Sequence, residues 1–271
     1  MKKNTQFVVH FLALLAMIFT VSCSKDEEAK PDAPTVTLSQ SDFSGKSGQQ
    51  VAVTVSVSAP GGLRNMTVSK QVNLAADNTF GTNGVQTIAV PTAGQKTLDY
   101  NFTYTLAASE VDKLVGFTFK AEDANGKMSE KVLTVNTAAS GAQILATYRW
   151  NLKSKMWTTP NPDVEDIKEC EKDDSFVYNA NGTMAVNYGT QACTFDGFNV
   201  YSGWTLSADE KTFTQTYSDV FDPSKVTTET YRVISLTKDR LVMEIALDLA
   251  VFGPPYTNAE TFVYTFDAGP K

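Results

Sequence analysis

The histidine and cysteine content of the chain limits the chemistry that it can perform. The 271 residues include one histidine and three cysteines. The histidine, His10, lies in an N-terminal segment typical of a removable leader, so we expect a mature chain without histidine. This would exclude Ser-His-Asp and Cys-His nucleophilic catalysis and nearly every transition-metal site. Chemistry based on carboxylates, lysine or tyrosine remains open.

Two pairs of adjacent carboxylates, Glu165-Asp166 and Asp173-Asp174, are the remaining catalytic candidates. A glycosidase needs two carboxyl groups that face each other across a cleft. Neighbouring residues of a strand point to opposite faces, so Asp173 and Asp174 would not share a cleft, and we interpret them as turn and strand-entry residues. No glycine-rich phosphate loop or helical Ser-x-x-Lys motif occurs. We therefore expect no enzymatic activity, no cofactor and no metal site.

The overall composition favours an all-β protein that does not bind nucleic acid. Apolar residues make up 42% of the chain, which is enough for packed cores, and the net charge is −7. An acidic chain without basic runs is not suited to bind phosphate backbones. Threonine, serine, valine and aromatic residues are abundant and helical periods are scarce, which is typical of β-structure.

The N-terminal residues predict export and lipid anchoring. Residues 1–22 have a basic start and a short apolar run, as in a signal peptide. Thr20-Val21-Ser22-Cys23 resembles a bacterial lipobox, which would make Cys23 the lipid-bearing N-terminus; the alternative is an ordinary signal peptide. The acidic residues 24–28 resemble the export tag of surface lipoproteins of Bacteroidota, or form a charged tether. We expect a flexible tether over 23–34 and a membrane-anchored, surface-exposed protein of the outer membrane.

Residues 35–137 predict an immunoglobulin-like Greek-key β-sandwich. Apolar residues alternate with small polar ones, as at Val51, Val53, Val55 and Val57, and turn-forming glycines separate about seven such runs. The segment 117–129 resembles the last hairpin of bacterial immunoglobulin-like modules. That resemblance implies a stiff spacer between the membrane and a second domain.

A small-residue linker over 138–143 precedes a region of different composition. Residues 144–271 contain all three tryptophans of the chain and predict eight consecutive strands with short connections. Such a series is typical of an up-and-down meander that closes into a barrel. The predicted strands are 147–157, 174–179, 183–189, 200–206, 211–218, 227–236, 240–247 and 260–266.

Several short motifs in this region resemble the lipocalin-like domains of Bacteroidota lipoproteins. They are Tyr-Arg-Trp-Asn-Leu at 148–152, Cys-Glu-Lys-Asp-Asp-Ser-Phe at 170–176, Asn-Gly at 181–182, Cys193 and Trp-Thr-Leu-Ser at 204–207. The similarity covers the whole C-terminal half and implies a lipocalin-like eight-stranded barrel. It departs from true lipocalins because their Gly-x-Trp signature is absent.

Cys170 and Cys193 are expected to form a disulfide, because the chain is predicted to be exported and Cys23 to carry lipid. The alternative is two free buried thiols. In the chain-entropy model, closing a loop of this length stabilises the folded domain by about 3 kcal/mol.

The aromatic residues of the barrel supply the candidate ligand-binding residues. Tyr231, Met243 and Tyr264 lie on strand faces that could point inward, where they either contact a ligand or simply fill the core. The apolar loop 247–259, with Phe252 and Tyr256, is predicted to form a lid or a recognition edge at the barrel mouth, or to pack on its own domain. Trp157 offers a face for stacking a sugar ring, or is a covered core residue.

Two functional hypotheses follow. In the first, the sandwich presents a barrel that binds a small apolar molecule or a glycan. In the second, the barrel is filled and the chain is an accessory subunit that contacts an outer-membrane partner, for example in glycan uptake. A binder requires a real cavity, whereas an accessory subunit requires an exposed apolar patch.

Overall fold

The computed structural model describes residues 31–159 and 163–271. The predicted signal peptide, Cys23 and the tether up to residue 30 lie outside the described residues and stay predictions. Within the described ranges the chain is almost entirely β-structure, which confirms the predicted fold class. None of the helices in this part of the chain is long and apolar enough to cross a membrane.

The N-terminal half is a sandwich of two β-sheets. Its strands are β1 Thr35–Leu38, β2 Asp42–Lys46, β3 Gln50–Ser58, β4 Leu63–Val72, β5 Ala75–Ala76, β6 Val85–Ile88, β7 Thr97–Thr105, β8 Leu114–Asp123 and β9 Met128–Ala138. β3 pairs with β7 and β1 in the first sheet, and the second sheet has the order β2-β9-β8-β4-β5, with β6 also beside β4. The chain crosses between the two sheets several times, and β2 runs parallel to β9. This is the Greek-key arrangement of immunoglobulin-like sandwiches.

The alternating residues of these strands fill the space between the two sheets. On β3 the odd-numbered valines from Val51 to Val57 are buried, while the residues between them remain on the outer face. They pack against a cluster in which Phe102 contacts both Phe117 and Phe119, with ring centroids 5.0 and 5.1 Å apart. Burial of one face of each sheet fixes the strand register, since a shift by one residue would expose the whole set.

The C-terminal half is an eight-stranded antiparallel barrel. The barrel strands are β10 Arg149–Trp157, β12 Ser175–Tyr178, β13 Met184–Asn187, β14 Asn199–Leu206, β15 Thr212–Asp219, β16 Val226–Leu236, β17 Arg240–Leu247 and β18 Glu260–Gly269. They pair in the order β13-β12-β10-β18-β17-β16-β15-β14, so the first strand, β10, lies beside the last, β18. The short strand β11 (Val164–Glu165) pairs with β10 outside this series.

The barrel closes through a weakly paired seam between β13 and β14. The contact consists of an isolated bridge between Thr183 and Gly203 and a hydrogen bond of 2.9 Å from Trp204 N to Gly182 O. Gly182 has a φ of 83°, so the Asn181-Gly182 turn uses the backbone conformation that glycine tolerates best. Beyond the bridge the two strands form no ladder, and the loop 188–198 connects them.

A short helix, α1 (Gly141–Thr147), lies between the two domains and begins at Ser140, whose side chain accepts a hydrogen bond from Gln143 N. Since β9 extends to Ala138 and α1 starts at Gly141, the predicted linker 138–143 contains the end of a strand and the start of this helix. Leu145 of α1 is fully buried and plugs one end of the barrel.

The plugged end of the barrel faces the sandwich. Glu210 accepts a hydrogen bond of 2.7 Å from Gly141 N and forms an ion pair with Lys46 of the sandwich. Ser47 donates a hydrogen bond of 2.7 Å to Gln143. At the other end of the sandwich, Lys127 donates a hydrogen bond to the carbonyl oxygen of Pro31. Pro31 and the open end of the barrel therefore lie on opposite sides of the molecule.

Candidate functional site

The two halves of the barrel interior differ. The half next to α1 is filled by large side chains that are almost completely buried, including Trp150, Tyr178, Trp204 and Phe213. Trp150 Nε1 donates a hydrogen bond of 3.1 Å to Leu145 O, so the helix and the strand are fixed together. Tyr178 packs on Phe213 and Trp204 at centroid distances of 5.2 and 5.6 Å. This half is therefore a packed core.

The other half contains a cavity of about 360 Å³. It opens at the end of the barrel that carries the connections 158–174, 188–198, 220–225 and 248–259. Small-molecule sites in proteins commonly measure about 300–1,000 Å³, so the cavity lies within that range. Both aromatic and charged side chains line the cavity. The aromatic residues include Phe176, Tyr188, Tyr201, Tyr231, Tyr264 and Phe266, and the charged residues are Lys155, Lys168, Glu171, Asp174, Asp196 and Glu229.

One wall of the cavity is a hydrogen-bonded network on β15 and β16. Gln215 Nε2 donates to Glu229 Oε2 and to the hydroxyl of Tyr231 at 2.7 and 3.0 Å. Tyr231 and Tyr217 donate to the two oxygens of Glu229 at 2.7 and 3.1 Å. These bonds hold the amide of Gln215 in one orientation. Its Oε1 is buried without a hydrogen-bond partner among the described residues.

Asp174 stands at the start of β12 on the cavity wall. Its side chain is only 7% exposed, and its Oδ1 has no hydrogen-bond partner in the described parts of the chain. Burial raises the pKa of this carboxyl to about 7, with further contributions from the negative charges of Asp196, Asp173 and Glu171. An unpaired buried carboxyl destabilises the folded chain unless another group satisfies it.

The loops around the mouth are fixed by a disulfide and by a carboxylate. Cys170 and Cys193 are bonded, with their Cα atoms 5.3 Å apart, which confirms the predicted pairing. Asp173 accepts hydrogen bonds of 2.6 and 3.2 Å from the backbone of Thr190 and Gln191. Asp173 lies in a turn and Asp174 directly precedes β12, so the alternation of a strand does not apply to them. Asp173 holds the 188–198 loop and Asp174 lines the cavity.

The structure separates the six sequence-predicted binding residues into two groups. Tyr231, Met243 and Tyr264 line the cavity. Trp157, Phe252 and Tyr256 lie outside its lining. Whether either group binds a ligand remains a prediction.

Trp157 packs against two aromatic rings and has a polar partner. It stacks on Tyr256 and Phe262 at centroid distances of 5.6 and 6.0 Å, and its Nε1 donates a hydrogen bond of 2.7 Å to Glu260. A sugar would compete with these two rings for the faces of Trp157. Phe252, in the adjacent loop, is 71% exposed.

Sequence reasoning did not assign five residues of the cavity wall to a binding site: Asp174, which it interpreted as a strand-entry residue, and Gln215, Glu229, Tyr188 and Tyr201. A signal for two of them was present. Gln215 lies two residues after Phe213, and Glu229 lies two residues before Tyr231. Each polar residue therefore shares the inward face of its strand with an aromatic residue. A polar residue at an inward position of a barrel strand is the pattern that would have identified this wall.

No metal site emerges from the described residues, which contain no group of three or more histidine, cysteine, aspartate or glutamate side chains arranged to hold an ion. The carboxylates of the cavity are spread over several elements around its wall.

Comparison with known proteins adds little. No family model and no curated protein matches the chain. The crystal structure of Spo0M, a sporulation control protein from Bacillus subtilis, is 12% identical with a TM-score of 0.28, over 88% of this chain and 91% of that one. A DUF4466 family protein from Parabacteroides merdae is 12% identical with a TM-score of 0.32, over 89% and 100%. Similarities this low carry no argument about the site.

Proposed function

We propose that this protein is a non-enzymatic binding protein, lipid-anchored at the surface of the outer membrane, whose barrel holds a small molecule. The observation that carries the proposal is the cavity of about 360 Å³ in the outer half of the barrel. Two buried oxygens in its wall, on Asp174 and Gln215, lack partners within the described chain. Buried polar atoms are normally satisfied, so unsatisfied ones in a cavity wall indicate a place for a ligand.

The arrangement of the two domains supports a spacer role for the sandwich. Pro31 is held at one end of the sandwich by Lys127, and the barrel packs on the other end through Glu210 and Lys46. The cavity opens away from the sandwich. A lipid on Cys23 would therefore place the mouth at the side of the molecule farthest from the membrane.

The cavity wall suits a ligand that has both an apolar and a polar part. Phe176 and Phe266, with centroids 5.3 Å apart, offer apolar surface, and the Gln215 network offers polar atoms. This supports the expected class of a small, partly apolar molecule or a sugar. Aromatic side chains can stack on either kind of ring.

The proposal can be tested by filling the cavity. The full-length protein is screened by thermal shift and tryptophan fluorescence against glycans, fatty acids and small polar organic compounds. A ligand at 100 times its Kd should stabilise the fold by about 2.7 kcal/mol. Val186→Trp, in the cavity wall, should abolish that shift, whereas Val132→Trp, on the exposed surface of the sandwich, should retain it. If no compound class shifts the wild-type protein, the binding proposal is wrong.

An accessory role with a protein partner is a second candidate, because the rim of the mouth exposes aromatic residues. Phe198 packs edge-to-face on Phe195 and Phe221, with centroids 5.6 and 5.3 Å apart, and Phe221 is 78% exposed. Contiguous exposed apolar residues commonly mark protein contacts. Photo-crosslinking from position 221 in intact cells, with position 132 as the control, would reveal an outer-membrane partner. Equal labelling from both positions would argue against this role.

A further inference from the structure

We infer that the ligand is a small organic ammonium ion: an amine on an apolar carbon skeleton, bound between Asp174 and the Gln215 wall. This rests on the proposed function, because it names the ligand of the same cavity. The inference starts from the formal charge of the wall, the type of its unpartnered atoms and the aromatic side chains around them.

The charge of the cavity wall is negative. Four carboxylates line the cavity, on Glu171, Asp174, Asp196 and Glu229, against two lysines, Lys155 and Lys168. Lys155 Nζ lies 3.1 Å from Asp166 and 3.8 Å from Glu171, so Lys155 and Glu171 offset each other. Asp174, Asp196 and Glu229 then stand against Lys168 alone. A cationic ligand would offset this imbalance, whereas an anionic ligand would add to the repulsion.

Two buried oxygens of the wall require hydrogen-bond donors. Asp174 Oδ1 and Gln215 Oε1 are acceptors without a partner among the described residues, and both residues are more than nine-tenths buried, at 7% and 3% exposure. The Gln215 amide cannot exchange the positions of its nitrogen and its oxygen without losing its bonds to Glu229 and Tyr231. An ammonium group carries up to three donors and no acceptor. It therefore suits these two oxygens, whereas Lys168 and the hydroxyl of Tyr264, which also line the cavity, can donate to other parts of a ligand.

The remaining wall is aromatic. Tyr188, Tyr201, Tyr264, Phe176 and Phe266 surround the same space. Aromatic rings attract organic cations through their electron-rich faces. The same rings provide apolar surface for the carbon skeleton of the amine. A free inorganic cation would use none of this surface, which favours an organic ammonium ion.

The test compares matched compounds on the full-length protein by isothermal titration calorimetry. The probes are primary amines from butylamine to 2-phenylethylamine, with 2-phenylethanol as the neutral and phenylacetate as the anionic counterpart. We expect at least one amine to bind at least tenfold more tightly than the alcohol, and phenylacetate not to bind. Equal or tighter binding of the alcohol or the anion would overturn the inference and leave the binding function intact. If no amine binds, the inference also falls, and the glycan and fatty-acid screen then decides the proposed function separately.

Variants locate the charge that selects the amine. Asp174→Asn removes the carboxylate and keeps the shape, so it should weaken amine binding at least tenfold and leave any weak binding of the alcohol unchanged. Asp239→Asn, in the exposed turn between β16 and β17 at the plugged end, makes the same change in net charge and should leave both affinities unchanged. Equal loss in the two variants would show a general charge effect and overturn the assignment to this cavity.

Discussion

The buried charges around Lys70 in the sandwich and at Asp174 in the barrel are satisfied differently. In the sandwich, Lys70 Nζ lies 2.8 Å from Asp77 and forms an ion pair with the buried Glu110. The hydroxyl of Tyr104 donates a hydrogen bond of 2.6 Å to Glu110 and accepts one of 2.8 Å from Lys70. In the barrel, the buried Asp174 has no partner for Oδ1 among the described residues.

The pKa shifts of the two regions express this difference. Burial lowers the pKa of Lys70, but its hydrogen bonds to Asp77, Glu110 and Tyr104 outweigh burial and hold the pKa above its ordinary value. The hydrogen bond from Lys70 lowers the pKa of Asp77 to about 2. Both groups are thus held in their charged forms. Burial instead drives Asp174 toward its neutral form. A buried charge that neighbouring side chains satisfy, such as Lys70, indicates a structural role. Asp174 is instead an unpartnered carboxyl in a cavity wall, where a ligand can complete it.

Breaking the satisfied cluster should have the largest effect. Lys70→Met removes the cation and leaves Glu110 buried without its partner, which should lower the free energy of unfolding by about 3–5 kcal/mol. Urea denaturation measures this loss. Lys120→Met, an exposed position on the same sheet, is the control and should stay within about 0.5 kcal/mol of wild type. A loss below about 1 kcal/mol for Lys70→Met would show that the cluster is not a structural unit.

Loss of the disulfide should have the second largest effect on stability. It joins Cys170 and Cys193 across a sequence separation of 23 residues at the mouth of the barrel. The double variant Cys170→Ser/Cys193→Ser should lose about 3 kcal/mol, because the unfolded chain regains the entropy of the open loop. Denaturation with and without dithiothreitol provides the check: the reductant should destabilise the wild type and not the double variant. Equal stability of the two proteins without reductant would refute the prediction.

Removing the unsatisfied carboxyl of Asp174 should raise the free energy of unfolding instead of lowering it. The pKa of Asp174 is raised from 3.8 to about 7, so over that range the folded chain keeps a proton that the unfolded chain has released. The free energy of unfolding contributed by this group therefore falls as pH rises through that range. Asp174→Asn should abolish this fall, so that between pH 5 and 8.5 the variant gains on the order of 2 kcal/mol relative to wild type. If wild type and variant differ by the same free energy of unfolding at both pH values, the raised pKa of Asp174 is contradicted.

The exposed aromatic rim should matter least for stability. Phe221→Ser changes a side chain that is 78% exposed, so the free energy of unfolding should change by less than about 0.5 kcal/mol. Thermal unfolding measures it, and Phe213→Ser in the filled half of the barrel is the contrasting variant. A large loss for Phe221→Ser would mean that the rim belongs to the core, which would weaken the case for a partner-binding surface.

The alternation of small polar and apolar residues sufficed to predict both folds. Valines with a period of two located β3, and turn residues such as Asn181-Gly182 located the hairpins of the barrel. The eight predicted barrel strands correspond to the eight that close it. Local patterns are strong here because each strand has one buried face.

The residues of the cavity were harder to predict from the sequence than the strands. Tyr231, Met243 and Tyr264 were found because they are large and lie on inward faces. Asp174 was missed because its burial depends on the 3₁₀ turn Glu169–Glu171 and the loop 188–198 that surround it, and neither follows from local periodicity. The sequence left Trp157 open between a sugar-stacking face and a covered core residue, because its stacking on Tyr256 and Phe262 joins residues about 100 positions apart.

The weak seam between β13 and β14 bears on the rate of ligand exchange. Past the bridge from Thr183 to Gly203, the two strands share no ladder, and the wall there depends on the loop 188–198 held by the disulfide. The affinity of a ligand depends on the polar and aromatic walls, but its residence time depends on how often this loop opens. We expect reduction of the disulfide to raise the association and dissociation rate constants together, which stopped-flow fluorescence would resolve. The protein would then exchange its ligand slowly in oxidising surroundings and rapidly in reducing ones.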